Sequence, residues 1–247
     1  MIRFLRPFDA HKIRLLVFDL DGTLIDSRLD LIHSVNATLH HLGRPALDGD
    51  VIASYVGDGA PALIRRVLGD ADIDSTNEAL LPRALEYFLG YYRVHKLDHT
   101  TLYEGIRETL AQLAKPSNGN PSPGAPRQMA VLTNKPVHPS RDIIRVLGLA
   151  EFFISVYGGN SFPTKKPDPL GIQTILNETG IQPEDSLMIG DSSVDVMTGQ
   201  NAGLWTCGVT YGFAPHTLES VPPDVLIESP RELGELLLTT PTDKART

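Results

Sequence analysis

Asp19-Leu20-Asp21-Gly22-Thr23 follows the apolar run Leu15-Leu16-Val17-Phe18, and this junction decides the fold. A short, unbroken apolar run reads as a strand buried on both faces, as in a parallel sheet covered by helices. The strand ends in two carboxylates two residues apart, which in extended chain point the same way and repel. The simplest offset is a divalent cation. Oxygen ligands of this kind suit Mg²⁺, which binds one or two carboxylates together with a substrate phosphate. Gly22 permits a tight turn, and Thr23 offers a hydroxyl and an amide to an anion. Read only as a strand and an Asp-Gly turn, the segment leaves Asp19 buried, charged and unpaired.

Further apolar runs recur at Met129–Leu132, Ile154–Tyr157, Leu187–Ile189, Trp205–Val209 and Val225–Ile227. Between and after them, Pro139–Leu147, Pro169–Thr179, Val194–Ala202 and Arg231–Leu238 carry helical patterns. Strands alternating with helices imply crossover units and a doubly wound parallel α/β sheet. One stretch, about 28 to 98, breaks the alternation. Leu29, Ile32, Val35, Leu39 and Leu42 form one helical stripe, which Gly43 can end, and Leu81, Ala84, Leu85, Phe88 and Tyr92 form another. The expected organisation is a core of residues 1–26 and 100–247 with a small all-helical domain, 27–99, inserted on two links. Two links suit a hinged lid. The Pro/Gly/Ser/Asn-rich segment 115–127 reads as a surface loop of the core.

Three more polar motifs fall at strand ends. Thr133-Asn134-Lys135-Pro136 follows the second strand, where amides and a hydroxyl can cradle an anion. Lys165-Lys166-Pro167-Asp168-Pro169 opens a helix, with Asp168 as the expected N-cap and Pro169 at the first helical position. Gly190-Asp191-Ser192-Ser193-Val194-Asp195 follows Leu187–Ile189, and Asp195 lies four residues beyond Asp191, near the same side of a first helical turn. Ligands of open parallel sheets bind outside the carboxyl ends of the strands, so the motifs can converge. Clustered acids, a lysine and a Thr-Asn cradle are the equipment of phosphoryl transfer.

Composition narrows the partners. The chain has 247 residues, 41% hydrophobic and 21% charged, an ordinary soluble balance. A net charge of −8 without a Lys/Arg cluster argues against nucleic acid. No run is long enough to span a membrane, and the polar start of the chain, broken by Pro7, does not resemble a signal peptide. A lone Cys207 in an apolar segment reads as a small buried hydrophobe in a reducing, cytoplasmic setting. His95, His99, His138 and His216 show no metal-ligand spacing and read as surface or loop residues.

The four motifs, in this order, resemble those of the haloacid dehalogenase superfamily of phosphohydrolases, over residues 14 to about 235. The resemblance implies a Rossmann-like core and identifies the insert as similar to the C1-type cap. Within the superfamily, Val56-Gly57-Asp58-Gly59-Ala60 with Arg66, Thr133-Asn134-Lys135-Pro136, Lys165-Lys166-Pro167 and Val209-Thr210-Tyr211-Gly212 look like phosphoglycolate phosphatases. Departures are Gly158-Gly159-Asn160, where Gly-Gly-Asp is usual, Thr198-Gly199 in place of an alanine-rich turn, and a long 115–127 loop.

The resemblance implies that Asp19 attacks phosphorus to form an aspartyl-phosphate and that Asp21 serves the leaving oxygen and then water as acid and base. Thr133 and Asn134 would hold phosphoryl oxygens and Lys166 would neutralise charge, with Lys165 left solvated. Mg²⁺ would be held by Asp19, the Asp21 carbonyl and Asp191, with Asp195 positioned behind them. Gly57, Gly59 and Arg66 would meet the substrate, Arg66 by pairing a carboxylate. The expected activity is Mg²⁺-dependent hydrolysis of a small anionic phosphate ester, with 2-phosphoglycolate ranked first, by a monomer or homodimer. The alternatives are a β-phosphoglucomutase-like mutase, a pyrophosphatase or nucleotidase, and, in another class, a receiver-like or non-catalytic phosphate-binding protein.

Overall fold

A computed structural model describes residues 1–7, 9–69, 80–116 and 126–238. The strands are β1 (Arg3–Phe4), β2 (Leu15–Phe18), β3 (Ile25–Asp26), β4 (Thr101–Leu102), β5 (Gln128–Leu132), β6 (Ser155–Tyr157), β7 (Ser186–Gly190), β8 (Trp205–Val209) and β9 (Val225–Ile227). The helices are α1 (Arg28–His41), α2 (Gly49–Ser54), α3 (Ala60–Leu68), α4 (Leu80–His95), α5 (Ile106–Leu113), α6 (Val137–Val146), α7 (Leu170–Thr179), α8 (Ser193–Asn201) and α9 (Pro230–Leu238).

Seven strands form one sheet in the order β1-β9-β8-β7-β2-β5-β6. All neighbours are parallel except β1, which runs antiparallel to β9. After edge strand β1, the parallel part of the sheet starts at β2 in the middle, moves outward through β5 and β6, then crosses to β7 and continues to β9. The strand order therefore reverses beside β2, where doubly wound sheets bind ligands.

β2 shows why the apolar run is unbroken. Leu16 and Phe18 pack into the core on one face, with Ile106, Leu110 and Leu233. Leu15 and Val17 pack on the other, with Ile172 and Ile175. Period-two alternation puts neighbours on opposite faces, and here both faces are covered by helices. Cys207 belongs to the first of these cores and is buried. Its thiol is pushed up by that burial.

Helices α1 to α4 pack on one another around a separate core that includes Val35, Ile52, Ile64, Ala84 and Phe88. They enter after β3 and leave before β4, and these two strands pair antiparallel, Ile25 with Leu102 and Asp26 with Thr101. Both links thus run side by side through a small ribbon that sequence patterning did not register.

Several local expectations shift. Helix α7 begins at Leu170, with Pro169 as its capping residue. Asp168 still serves the helix start, because its Oδ1 accepts from the Leu170 amide at 2.9 Å. Most of the expected 115–127 loop, residues 117–125, lies outside the described residues. Its last residue is not surface chain: Arg127 is buried, with Nε donating to the Ile13 carbonyl at 3.1 Å and Nη2 to the Leu237 carbonyl at 2.8 Å. Asn160, the departure noted after Gly158-Gly159, accepts from the Val137 amide at 2.8 Å and so satisfies the start of α6. An amide oxygen does this as well as a carboxylate.

Leu16 is fully buried. Leu16→Ala is expected to destabilise the protein by about 2–5 kcal/mol, read as a lower urea midpoint at unchanged slope.

Candidate active site

Asp19 and Asp21 follow β2, Thr133 to Lys135 follow β5, and Asp191 follows β7. Parallel register aligns these three strand ends, so their loops leave the sheet on one edge. Lys166 reaches in from the segment before α7. Its Nζ donates to Asp19 Oδ1 at 2.7 Å and to Asp195 Oδ1 at 2.6 Å. Asp195 is fixed from behind, since its Oδ2 accepts from the Ser192 amide at 3.1 Å and the Ser192 hydroxyl at 2.7 Å. Asp191 Oδ2 accepts from the amides of Phe213 at 2.6 Å and Ala214 at 3.2 Å.

Glycine makes this crowding feasible. Gly22 has φ +81°, and a Cβ there would lie 2.3 Å from Asp191 Oδ2. A Cβ on Gly190 would lie 2.1 Å from the Asp195 carboxyl carbon. Neither approach leaves room for a side chain, so the acids sit against bare backbone.

Ligand oxygens of Asp19, Asp191 and Asp195 lie within 4.8 Å of one another, and all three residues are buried. Burial pushes the Asp19 carboxyl up to about 6; Lys166 opposes the rise and Asp195 adds to it. Burial pushes Asp191 up to about 8, reinforced by Asp195 and Asp19 and opposed by the two amides. For Lys166, burial favours loss of charge, but Asp19 and Asp195 outweigh it and the ammonium is held well above its ordinary value. One buried cation among this many carboxylates leaves negative charge uncompensated. Hard oxygen donors with surplus charge fit Mg²⁺, and Asp19 and Asp191 are the residues placed to hold it.

The Asp21 carboxylate turns away from Lys166. It meets Lys135 Nζ at 2.9 and 3.0 Å and accepts from the Ser27 hydroxyl at 2.5 Å. Lys135 also stands over the Tyr92 ring of α4, 4.5 Å from its centroid. Burial disfavours its charge, yet Asp21 and Tyr92 reverse this and raise it. Sequence reading missed Lys135 as a site residue although it lies inside a quoted motif; the signal was a cation directly after the Thr-Asn cradle.

A cavity of about 60 Å³ lies between these groups and the helical unit. Asp19, Asp21, Lys135, Lys166 and Asp191 line it from the sheet, while Val56, Gly57, Gly59, Leu63, Phe88 and Tyr92 line it from the helices. Thr133 and Asn134 line it as expected. Asn134 Nδ2 donates to the Gly57 carbonyl at 3.1 Å and to the Lys166 carbonyl at 3.2 Å, so its amide holds loops together.

Two expected site residues lie elsewhere. Arg66 is not among the cavity-lining groups. Its guanidinium pairs with Asp58 and donates to the Tyr55 carbonyl at 3.0 Å, bracing the loop that carries Gly57 and Gly59. The Thr23 amide is spent on the Leu20 carbonyl at 3.3 Å, inside the turn. Lys165, expected to be solvated, is exposed yet donates to the Asp58 carbonyl.

The profile of haloacid dehalogenase-like hydrolases matches residues 16–209, from β2 to the end of β8. The chain belongs to this family. It is 35% identical over 229 residues to the phosphoglycolate phosphatase of Chromobacterium violaceum, covering 93% of this chain and 98% of that protein. It is 36% identical over 236 residues to the phosphoglycolate phosphatase of Pseudomonas putida, covering 94% and 83%. Among solved structures, a predicted phosphoglycolate phosphatase from Haemophilus somnus matches with a TM-score of 0.81 at 28% identity, over 91% of this chain and 98% of that one. These matches and the fold agree with the doubly wound core expected from the sequence.

The raised carboxyls give a signed prediction. A group raised in the folded state contributes fully below its unfolded value, 3.8, and loses that contribution as pH climbs through the folded one. The metal-free protein is therefore expected to lose thermal stability between about pH 4 and 8, through both carboxyls up to about pH 6 and through Asp191 alone above it. Millimolar Mg²⁺ should flatten that decline, which differential scanning fluorimetry across pH will show.

Proposed function

We propose that this hydrolase is a Mg²⁺-dependent phosphatase of small anionic phosphate esters, acting through an aspartyl-phosphate, with 2-phosphoglycolate as substrate. The observation that carries the reading is the pair of separately anchored lysines in one small cavity. Lys166 is bound to Asp19 and serves the phosphoryl end, whereas Lys135 lies on the other side of Asp21 and offers a second positive charge. A two-carbon acid phosphate carries a negative group at each end, one for each lysine.

In this reading an Asp19 carboxylate oxygen attacks phosphorus as the bond to the leaving oxygen breaks. Asp21 gives that oxygen its proton and takes one back from the water that later opens the aspartyl-phosphate. Lys166 and the Thr133–Asn134 turn hold the phosphoryl oxygens. Mg²⁺, when bound at Asp19, the Asp21 carbonyl and Asp191, supplies positive charge that offsets repulsion between nucleophile and phosphate. Asp195 holds Lys166 in place. A substrate carboxylate that takes over Lys135 releases Asp21 from its ion pair, and the freed carboxylate takes a proton from solvent water before it serves the leaving oxygen. The helical unit acts as a cap: Gly57 and Gly59 face the cavity, and apolar Val56, Leu63 and Phe88 help exclude water. Names of the relatives at about 35% identity support the same substrate.

Asp19→Asn is expected to reduce phosphate release from every ester to the blank; residual turnover in clean protein would overturn the nucleophile. Against a panel, 2-phosphoglycolate should give the highest kcat/KM, and a broad, flat profile would remove the substrate assignment while keeping the chemistry. Lys135→Met should lower kcat/KM on 2-phosphoglycolate by roughly 10- to 100-fold, the worth of one charge-assisted contact. The loss on ethyl phosphate, which has no carboxylate, should be clearly smaller.

A further inference from the structure

A second group of donors lies where the helical unit joins the sheet, apart from the cavity. Asp30 in the first turn of α1, His33 one turn later, and His99 just before β4 each offer a ligand atom, and these atoms lie within 4.8 Å of one another. Asp30 and His33 share a helix face through their three-residue spacing. His99 arrives from 69 residues beyond Asp30, which is why no spacing in the sequence announces the group. None of these residues lines the cavity.

Asp30 is 1% exposed and fixed by its surroundings. Its Oδ2 accepts from the Thr100 amide at 2.9 Å and the Thr100 hydroxyl at 2.7 Å. The His99 amide is shared between Oδ1 at 3.0 Å and Oδ2 at 3.1 Å. Oδ1 thus receives only a shared amide and keeps acceptor capacity. The same bonds place the His99 backbone beside α1. The His33 and His99 rings then meet edge to face, 5.2 Å between centroids, on the solvent side. Both imidazoles are open to solvent, and a buried, backbone-oriented carboxylate stands beneath them. A ligand held in place by such outer hydrogen bonds is the usual support of a metal site.

We propose that Asp30, His33 and His99 bind a divalent transition-metal ion of the zinc type. The donor set separates this site from the acidic cluster. Two borderline imidazoles beside a carboxylate favour Zn²⁺ over Mg²⁺, whereas the all-oxygen cluster favours Mg²⁺. Three protein ligands leave a coordination position for water. The ion would join the start of α1 to the segment entering β4, tying together the two ends of the helical unit where it meets the core. This site does not depend on the substrate assignment.

The test is zinc binding to tag-free protein in millimolar Mg²⁺, by equilibrium dialysis and calorimetry. The wild type is expected to bind one more equivalent than a His33→Gln/His99→Gln double variant. Each single variant should weaken that equivalent by at least about tenfold. Both histidines are exposed, so the variants are expected to keep the wild-type circular dichroism and Mg²⁺-dependent activity measured without zinc. Equal zinc stoichiometry and affinity in wild type and variants would overturn the site, as would no zinc uptake by the wild type under these conditions.

Discussion

A buried ammonium shared by two carboxylates is the interaction on which the site rests. Lys166 Nζ lies 2.7 Å from Asp19 and 2.6 Å from Asp195, with all three side chains nearly out of solvent. Such a group tolerates no missing member, because removing one leaves a buried charge without its partner. The neighbours follow from that constraint. Ser192 fixes the far side of Asp195, two amides fix Asp191, and glycines at 22 and 190 let the acids press against backbone. What remains is a surplus of negative charge among oxygen donors, an arrangement that fits a hard cation.

The Gly57–Gly59 loop of the helical unit meets this centre through main chain. Asn134 holds the Gly57 carbonyl, Lys165 holds the Asp58 carbonyl, and a Cβ on Gly59 would lie 2.8 Å from the Asn134 carbonyl oxygen. Arg66 stiffens the same loop from its outer side through Asp58 and Tyr55. Backbone-to-side-chain docking of this kind is easily made and broken. It agrees with the cap role proposed for the helical unit, whose two links are paired as β3 and β4.

Much of this was legible in the sequence, and the reasons are specific. Both faces of the sheet are covered, so β2, β8 and β9 appear as apolar runs with their observed limits. The acids at strand ends were legible because charge after a buried run has few structural uses. The pieces that escaped depend on distant partners. Two-residue β3 and β4 carry no periodicity and exist only because they pair. Lys135 resembles a turn residue until α4 brings Tyr92 over it. Arg66 carries a charge that suits a carboxylate ligand, but Asp58 eight residues away claims it. His33 and His99 meet only after the chain has looped through the whole helical unit.

The placement of Cys207 has a consequence for oxidative stress. The single thiol sits in the sheet core, 1% exposed, and burial keeps it protonated. Peroxides react with exposed thiolates and with accessible thioethers, and no Cys or Met is among the residues lining the cavity. The polar groups lining the cavity are carboxylates, ammoniums, amides and hydroxyls, which those oxidants leave untouched. Cys207 therefore offers peroxide neither an exposed thiolate nor a place in the cavity.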